Sequence, residues 1–286
     1  MTVDLMWGVT MAGTVALVLG GGGARGLAHI HALKAFDDLG VRPTIVAGTS
    51  IGAILGACYC AGMSGAEIED YALTRFEDRT QLIADAFKVR PDSFKSFLQD
   101  GGMRVGEFNL ETVLSVFLPD RVPARFEDLP LPLVAVATEY HAAADAVLTS
   151  GDLRKAIAAS AAIPAVFLPV AINGRYCIDG GATNPVPVNV VADQADHILA
   201  VDVSGGPVGN GGTRPTKVDA VSAFMQMMQM TMARQMSEAH DRSVLLRPGV
   251  NQFKTLDFLK VTEILTRTAP FRETVKAQLE EMLGNA

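Results

Sequence analysis

Thr44-Ile45-Val46-Ala47-Gly48-Thr49-Ser50-Ile51-Gly52-Ala53-Ile54-Leu55-Gly56-Ala57 decides the fold of this chain. The first four residues are β-branched or small and apolar, the pattern of a buried strand. The last five are compatible with a helix. Between them, Gly48-Thr49-Ser50-Ile51-Gly52 matches G-x-S-x-G, in which a strand turns sharply into a helix and lifts a serine hydroxyl onto an elbow. Gly48 and Gly52 let the backbone turn and let a substrate approach. The helix start adds oriented N–H groups beside any developing negative charge. Taken alone, the motif also describes an ordinary βα turn, because Gly and Ser are common there.

The residues upstream repeat the pattern. Val15-Ala16-Leu17-Val18-Leu19 reads as a first strand and runs into Gly20-Gly21-Gly22-Gly23-Ala24-Arg25-Gly26. Leu27, Ile30, Leu33 and Phe36 then recur at helical spacing. A glycine-rich strand-to-helix loop exposes several N–H groups on one side, which suits an anion. In acyl transfer that anion is the tetrahedral oxyanion. The rival reading is dinucleotide binding, since Gly21, Gly23 and Gly26 also spell G-x-G-x-x-G. That fingerprint requires an acid at the end of the second strand to hold a ribose. The second strand here ends in Ala47-Gly48-Thr49-Ser50, and the nearest acids, Asp37 and Asp38, fall on the intervening helix.

A third motif is Ile178-Asp179-Gly180-Gly181. Val166–Ile172 reads as a strand, Asn173-Gly174 as a hairpin turn and Arg175–Ile178 as the returning strand. Asp179 therefore stands where a strand gives way to a glycine loop. An Asp before Gly is usually a turn residue bonding its own backbone. Beside the other two motifs it becomes a candidate base for Ser50.

The ordered set of GGGGARG at 20–26, GTSIG at 48–52 and DGG at 179–181 resembles the patatin-like phospholipases. The blocks Ala156–Pro164 and Asp179–Pro187 resemble that family too, so the likeness is clear over about 14–205 and looser beyond. It implies a three-layer α/β/α fold with a central, mostly parallel sheet. It also implies a Ser-Asp dyad, with Ser50 as nucleophile and Asp179 as base. The oxyanion hole would come from the loop of Gly21, Gly22, Gly23, Ala24, Arg25 and Gly26. His31 stands where relatives often have glycine. The resemblance implies a lipid or fatty acyl ester as substrate, no cofactor, and contact with membranes at most peripheral. An acyltransferase using the same serine, or a non-catalytic acyl-binding module, would share these motifs.

The chemistry of the residues supports a dyad independently. A serine hydroxyl is a weak nucleophile until a base takes its proton. The common base is a histidine placed after the acid in sequence. His29 and His31 precede the serine, and His141 lies in an Ala-rich loop. Only His197 and His240 follow in the required order, and neither sits in a glycine loop after a strand. Asp202, at the end of the 197–201 strand, is the competing acid. Arg25 is the only charge of the glycine loop. Its guanidinium could orient the loop, meet a phosphate head group, or form a structural salt bridge.

The composition fits a compact enzyme. The 286 residues are 49% hydrophobic, with 24 basic and 31 acidic side chains. No basic stripe suggests nucleic acid, and the acidic balance opposes strong attraction to anionic membranes. Cys58, Cys60 and Cys177 do not form a disulfide frame, and no His/Cys cluster has metal-ligand spacing. Residues 1–13 read as an apolar extension without a basic start or cleavage site, and the protein reads as cytoplasmic. Nothing in the pattern specifies an oligomeric state. Residues 14–205 form the expected catalytic core, and 206–286 a mostly helical part packing on it. Helices are expected over 51–61, 65–88, 106–117, 152–161 and 255–283. Strands are expected over 133–138, 144–149 and 243–246. The segment at 77–105, with Phe87, Phe94 and Phe97, is a candidate lid or acyl-chain wall. Val221, Phe224, Met225, Met228, Met232 and Met236 recur at helical spacing, which reads first as a core face and second as lipid contact.

Overall fold

The computed structural model describes residues 13–77, 110, 111, 114, 118–207, 212 and 214–284. The N-terminal extension up to residue 12, the aromatic segment with Phe87, Phe94 and Phe97, and most of the helix expected at 106–117 lie outside these.

Alternation of apolar residues builds the centre. In β1 (Val15–Leu19), Val15, Leu17 and Leu19 face one hydrophobic cluster, and Ala16 and Val18 face another. A strand buried on both faces reads as a continuous apolar run and belongs in a parallel sheet covered on two sides. β1 pairs in parallel with β2 (Ile45–Thr49) on one edge and β7 (His197–Val201) on the other. β2 pairs in parallel with β3 (Leu133–Glu139), and β7 with β8 (Ser243–Leu246). The first face is covered by α1 (His29–Asp38), α2 (Ile51–Cys60), α4 (Leu153–Ser160), α6 (Val261–Thr268) and α7 (Phe271–Gly284). α3 (Gly65–Glu77) packs outside α1 and α2. The second face lies under Val186, Val188 and Val191 and under Ala233 of the long helix α5 (Lys217–Glu238). The result is the expected three-layer α/β/α arrangement around a mixed, mostly parallel sheet.

Three antiparallel strands complete the sheet. β4 (Ala144–Leu148) pairs with β3 along one edge. On the other edge, β2 pairs with β3 only as far as Thr49–Val136, where the chain leaves at Ser50. β6 (Arg175–Asp179) takes over at the next position, with Asp179 opposite Ala137. Because β6 runs antiparallel to β3, the C-terminal ends of β2 and β6 meet head-on along the same neighbour. β3 thus acts as a splint that delivers Ser50 and Asp179 to one place.

The structure differs from the sequence reading at three points. The strand expected at Val166–Ile172 contracts to β5 (Val170–Ile172). The N–H groups of Val166 and Phe167 both turn back to the Ile163 carbonyl, and Pro164 and Pro169 cannot donate to a ladder. The helix expected at 255–283 is broken into the short 3-10 turn Phe258–Lys260, α6 and α7, with Pro270 between the last two. The methionine stripe of α5 is not a core face along its length. Ala233 is buried, but Phe224 is 60% exposed and Met225, Met227 and Met228 are about half exposed. The C-terminal half of α5 packs on the sheet, while its N-terminal half lies over a cavity.

Candidate active site

Ser50 caps α2 with φ 56° and ψ −121°. A non-glycine residue at positive φ is strained, and the surroundings must hold it there. Two contacts do so. The Ser50 N–H donates to Ser160 Oγ at 2.9 Å, and the Ser160 hydroxyl donates to the Val136 carbonyl at 2.6 Å. Two residues on, the Ala162 carbonyl accepts the Asp179 N–H at 3.0 Å. The end of α4 therefore holds both members of the Ser50–Asp179 pair by their backbones. Gly52 permits the tight elbow, since a Cβ there would lie 2.0 Å from the Leu19 carbonyl oxygen. Sequence reasoning gave Ser160 no role. Its one signal was a hydroxyl in an otherwise alanine-rich helix end.

Asp179 is buried, with its carboxyl near enough to Ser50 for that hydroxyl to lower its pKa. Its Oδ1 accepts the Gly181 N–H at 2.8 Å. Burial raises the carboxyl from its ordinary 3.8 to about 6, and the Ser50 hydroxyl and the Gly181 N–H partly oppose that rise. A carboxylate tuned toward neutrality is a better proton acceptor than an exposed one, yet it is still ionised at pH 7. The Asp loop is fastened from outside by Gln229 of α5, whose Nε2 donates to the Gly181 carbonyl at 3.1 Å. Gly180 lies against β3, where a Cβ would meet the Val136 carbonyl at 2.2 Å.

The glycine loop runs beside this pair. Its six expected residues divide by the use of their N–H groups. Gly21 donates to the Pro185 carbonyl at 2.9 Å and Ala24 to the Thr255 carbonyl at 2.8 Å. Arg25 and Gly26 lie inside the 3-10 turn Gly23–Ala28. The N–H groups of Gly22 and Gly23 have no protein acceptor among the described residues, and both glycines border the Ser50 cavity. Fixed flanking N–H groups with two free donors between them are suited to an anion.

Two cavities meet at Ser50. One, of about 280 Å³, is bordered by Arg25, Asp179, Gly181, Gln226, Gln229 and Thr255, with Met225, Met228 and Met232 of α5 along one side. The other, of about 450 Å³, is lined almost wholly by apolar side chains, among them Ile54, Leu55, Met63, Leu114, Phe167 and Phe258. Gly23, Ser50 and Ile163 border both.

The other candidates fall elsewhere. No histidine borders either cavity. His29 Nε2 meets the Gly20 carbonyl at 2.8 Å, and burial lowers its pKa to about 4, so it is neutral. His31 Nε2 bonds the Leu265 carbonyl at 2.9 Å and ties α1 to α6. His240 Nδ1 bonds the Met236 carbonyl at the end of α5. Asp202 is occupied by the N–H and hydroxyl of Ser204, at 2.8 and 2.6 Å, and by Arg247 at 3.0 Å. The three cysteines are buried and unpaired. Among the described residues, no group of His, Cys, Asp and Glu could hold a metal, and no helix is long and apolar enough to cross a membrane.

A mostly parallel α/β/α sandwich with a serine elbow at a strand's C-terminal end defines the class of the molecule. The chain belongs to the patatin-like phospholipase family, whose model matches residues 17–192. It is similar to an uncharacterised NTE family protein of Mycobacterium tuberculosis, with 33% identity over 196 residues, or 68% of this chain and 50% of the relative. It is also similar to patatin-like phospholipase domain-containing protein 7 of Rattus norvegicus, with 30% identity over 275 residues, or 87% of this chain and 20% of the relative. This chain thus spans half, or a smaller part, of the length of these relatives. Among solved structures, VipD from Legionella pneumophila superposes with a TM-score of 0.53 at 14% identity, covering 99% of this chain and 70% of that one. That likeness concerns the fold alone.

Proposed function

We propose that this chain is a serine hydrolase of fatty acyl esters of lipids, working through a Ser50–Asp179 dyad. The observation that carries the reading is that a strained serine, beside a buried aspartate, stands where an apolar cavity and a more polar one meet. Family membership supports the same chemistry. Ionised Asp179 takes the proton as Ser50 Oγ attacks the ester carbonyl. The oxyanion is held by the Gly22 and Gly23 N–H groups, with the start of α2 adding its dipole. The tetrahedral intermediate collapses, Asp179 returns the proton to the departing alcohol, and the acyl group stays on Ser50. Water then attacks the acyl-enzyme, giving its proton to Asp179, and the fatty acid leaves as Ser50 regains its hydrogen.

The two cavities suit the two halves of such an ester. The acyl chain fits the larger, apolar one and the alcohol portion the smaller. A cavity of ~150 Å³ takes a benzene, so about three times that volume takes roughly 18 carbons. Met225, Met228, Leu256 and Leu259 border the two cavities and are 48 to 59% exposed, and Phe224, also on α5, is 60% exposed. They form a rim suited to peripheral contact with a lipid surface, a role this chain's acidic charge leaves to apolar rather than ionic attraction.

Burying each added methylene contributes ~0.8 kcal/mol, worth up to about fourfold in kcat/KM. The expected result is therefore a steady rise from acetate to medium and long p-nitrophenyl esters, with fatty acid released from phospholipid or lysophospholipid. Vesicle binding should be weak and nearly independent of salt. A strict preference for acetate, with no fatty acid from any lipid, would remove the lipid reading and leave only the serine hydrolase.

A further inference from the structure

Arg25 is buried to 2% exposure, yet it has no carboxylate within ion-pair distance among the described residues. Its guanidinium is committed to neutral acceptors. Nε donates to the Gly22 carbonyl at 3.1 Å, and Nη2 to Thr255 Oγ1 at 3.2 Å. Nη1 meets the Gln226 side-chain oxygen at 2.8 Å when that amide is turned so that its nitrogen donates to the Gly206 carbonyl at 3.2 Å. The Gly205 backbone closes the remaining side, since a Cβ there would lie 2.3 Å from Nη1. Asp202 supplies the counter-charge from a distance, its own carboxylate being held by Ser204 and Arg247.

The bond to Gly22 has a geometric consequence. The Gly22–Gly23 peptide is trans, so its N–H points opposite to its C=O. Fixing the Gly22 carbonyl therefore fixes the direction of the Gly23 N–H, one of the loop's two free donors. Thr255 secures both sides of this unit. Its carbonyl holds the Ala24 N–H and its hydroxyl holds Arg25. Gln226 adds α5 to the clamp, so the helix that borders the cavity also steadies the loop.

We propose that Arg25 is a positioning residue that aims the Gly23 N–H at the oxyanion through the Gly22 carbonyl, and that it does not serve as a receptor for a substrate phosphate. The inference rests on the Ser50 hydrolase reading and deepens it. Lys in its place would keep the charge but not the planar fork that reaches Gly22, Thr255 and Gln226 together.

The test compares Arg25→Lys, Arg25→Gln and Thr255→Val on two substrates with the same acyl chain: a neutral p-nitrophenyl ester and a lysophospholipid. Loss of one oxyanion donor lowers turnover by ~10²–10³. Both Arg25 variants are expected to lose kcat by about the lower end of that range on both esters, with KM little changed. Reaction with a fluorophosphonate, which also places an oxygen in the hole, should slow in parallel. Thr255→Val removes one Arg25 bond but keeps the carbonyl for Ala24, so it should lower kcat by about tenfold on both esters, the lower end of the worth of one hydrogen bond to a charged group. A raised KM confined to the phosphate ester would overturn the proposal in favour of head-group contact. Full rescue by lysine, or unchanged kcat in a folded Arg25 variant, would also overturn it. If the Arg25 variants fail to fold, unchanged kcat in Thr255→Val overturns it instead. A wild-type protein inactive on both esters would contradict the hydrolase reading itself, separately from the role of Arg25.

Discussion

Asp179→Asn should lower ester hydrolysis by ~10²–10⁴, the range attributed to a general base, while making the protein more stable. Asparagine fits the same space and still offers Oδ1 to the Gly181 N–H, so the Asp loop keeps its bond. It cannot accept the Ser50 proton. Stability should move the other way because burial raises the Asp179 carboxyl from 3.8 to about 6. Between these values the folded protein keeps a proton that the unfolded chain has released, so this group's contribution to stability falls as pH rises through the window. At pH 7 the buried charge costs on the order of 3 kcal/mol, because a tenfold change in proton affinity is worth ~1.4 kcal/mol. Replacing it should raise Tm by several degrees at pH 7, with the gain shrinking toward pH 4. In the wild type, kcat/KM should fall as pH drops through about 6, where Asp179 becomes protonated. Rate measurements and thermal melts on folded protein, from about pH 4 to about pH 8, check both halves. A variant that retains activity, or one that is destabilised at pH 7, would contradict this account of Asp179.

Gly22→Ala is expected to lower kcat by ~10²–10³ with a smaller change in KM. The reason is close approach. The φ of Gly22, 174°, lies outside the left-handed region that favours glycine. A Cβ at that position, however, would stand 2.3 Å from the Val203 carbonyl oxygen. Val203 follows β7 and is itself buried, so the loop must yield. Its displacement moves the N–H groups of both Gly22 and Gly23 away from the reacting carbonyl. Crowding of this kind also destabilises by roughly 1–3 kcal/mol. Steady-state kinetics on the folded variant, with a melting curve alongside, separate the two effects. Unchanged kcat would move the oxyanion site away from this loop.

The parts of the site that were legible in the sequence are those whose chemistry is local. A glycine loop after Val15–Leu19 and a serine elbow after β2 each carry their own strand-to-helix signal. The Asn173-Gly174 turn has positive φ at both residues, 50° and 79°, and so gave the β5–β6 hairpin its register. What brings Ser50 and Asp179 together was not legible. It depends on β2 and β6 sharing one edge of β3, an arrangement of residues roughly 130 positions apart whose register no local pattern encodes. The period of α5 gave a helix but not its surroundings. Equally apolar turns of that helix pack on the sheet at Ala233 and border a cavity at Met225 and Met228. Ser160, Gln226, Gln229 and Thr255 were not singled out because they act by single hydrogen bonds to backbone or side chain, which carry no motif.

The central claim is that Ser50 is the nucleophile, and covalent labelling tests it most directly. Wild-type protein treated with a fluorophosphonate should gain one adduct, located by peptide mass spectrometry on Ser50, together with loss of esterase activity. Ser50→Ala should take up no label and hydrolyse no ester. Labelling on another serine with the same loss of activity, or esterase activity persisting in Ser50→Ala, would contradict the account.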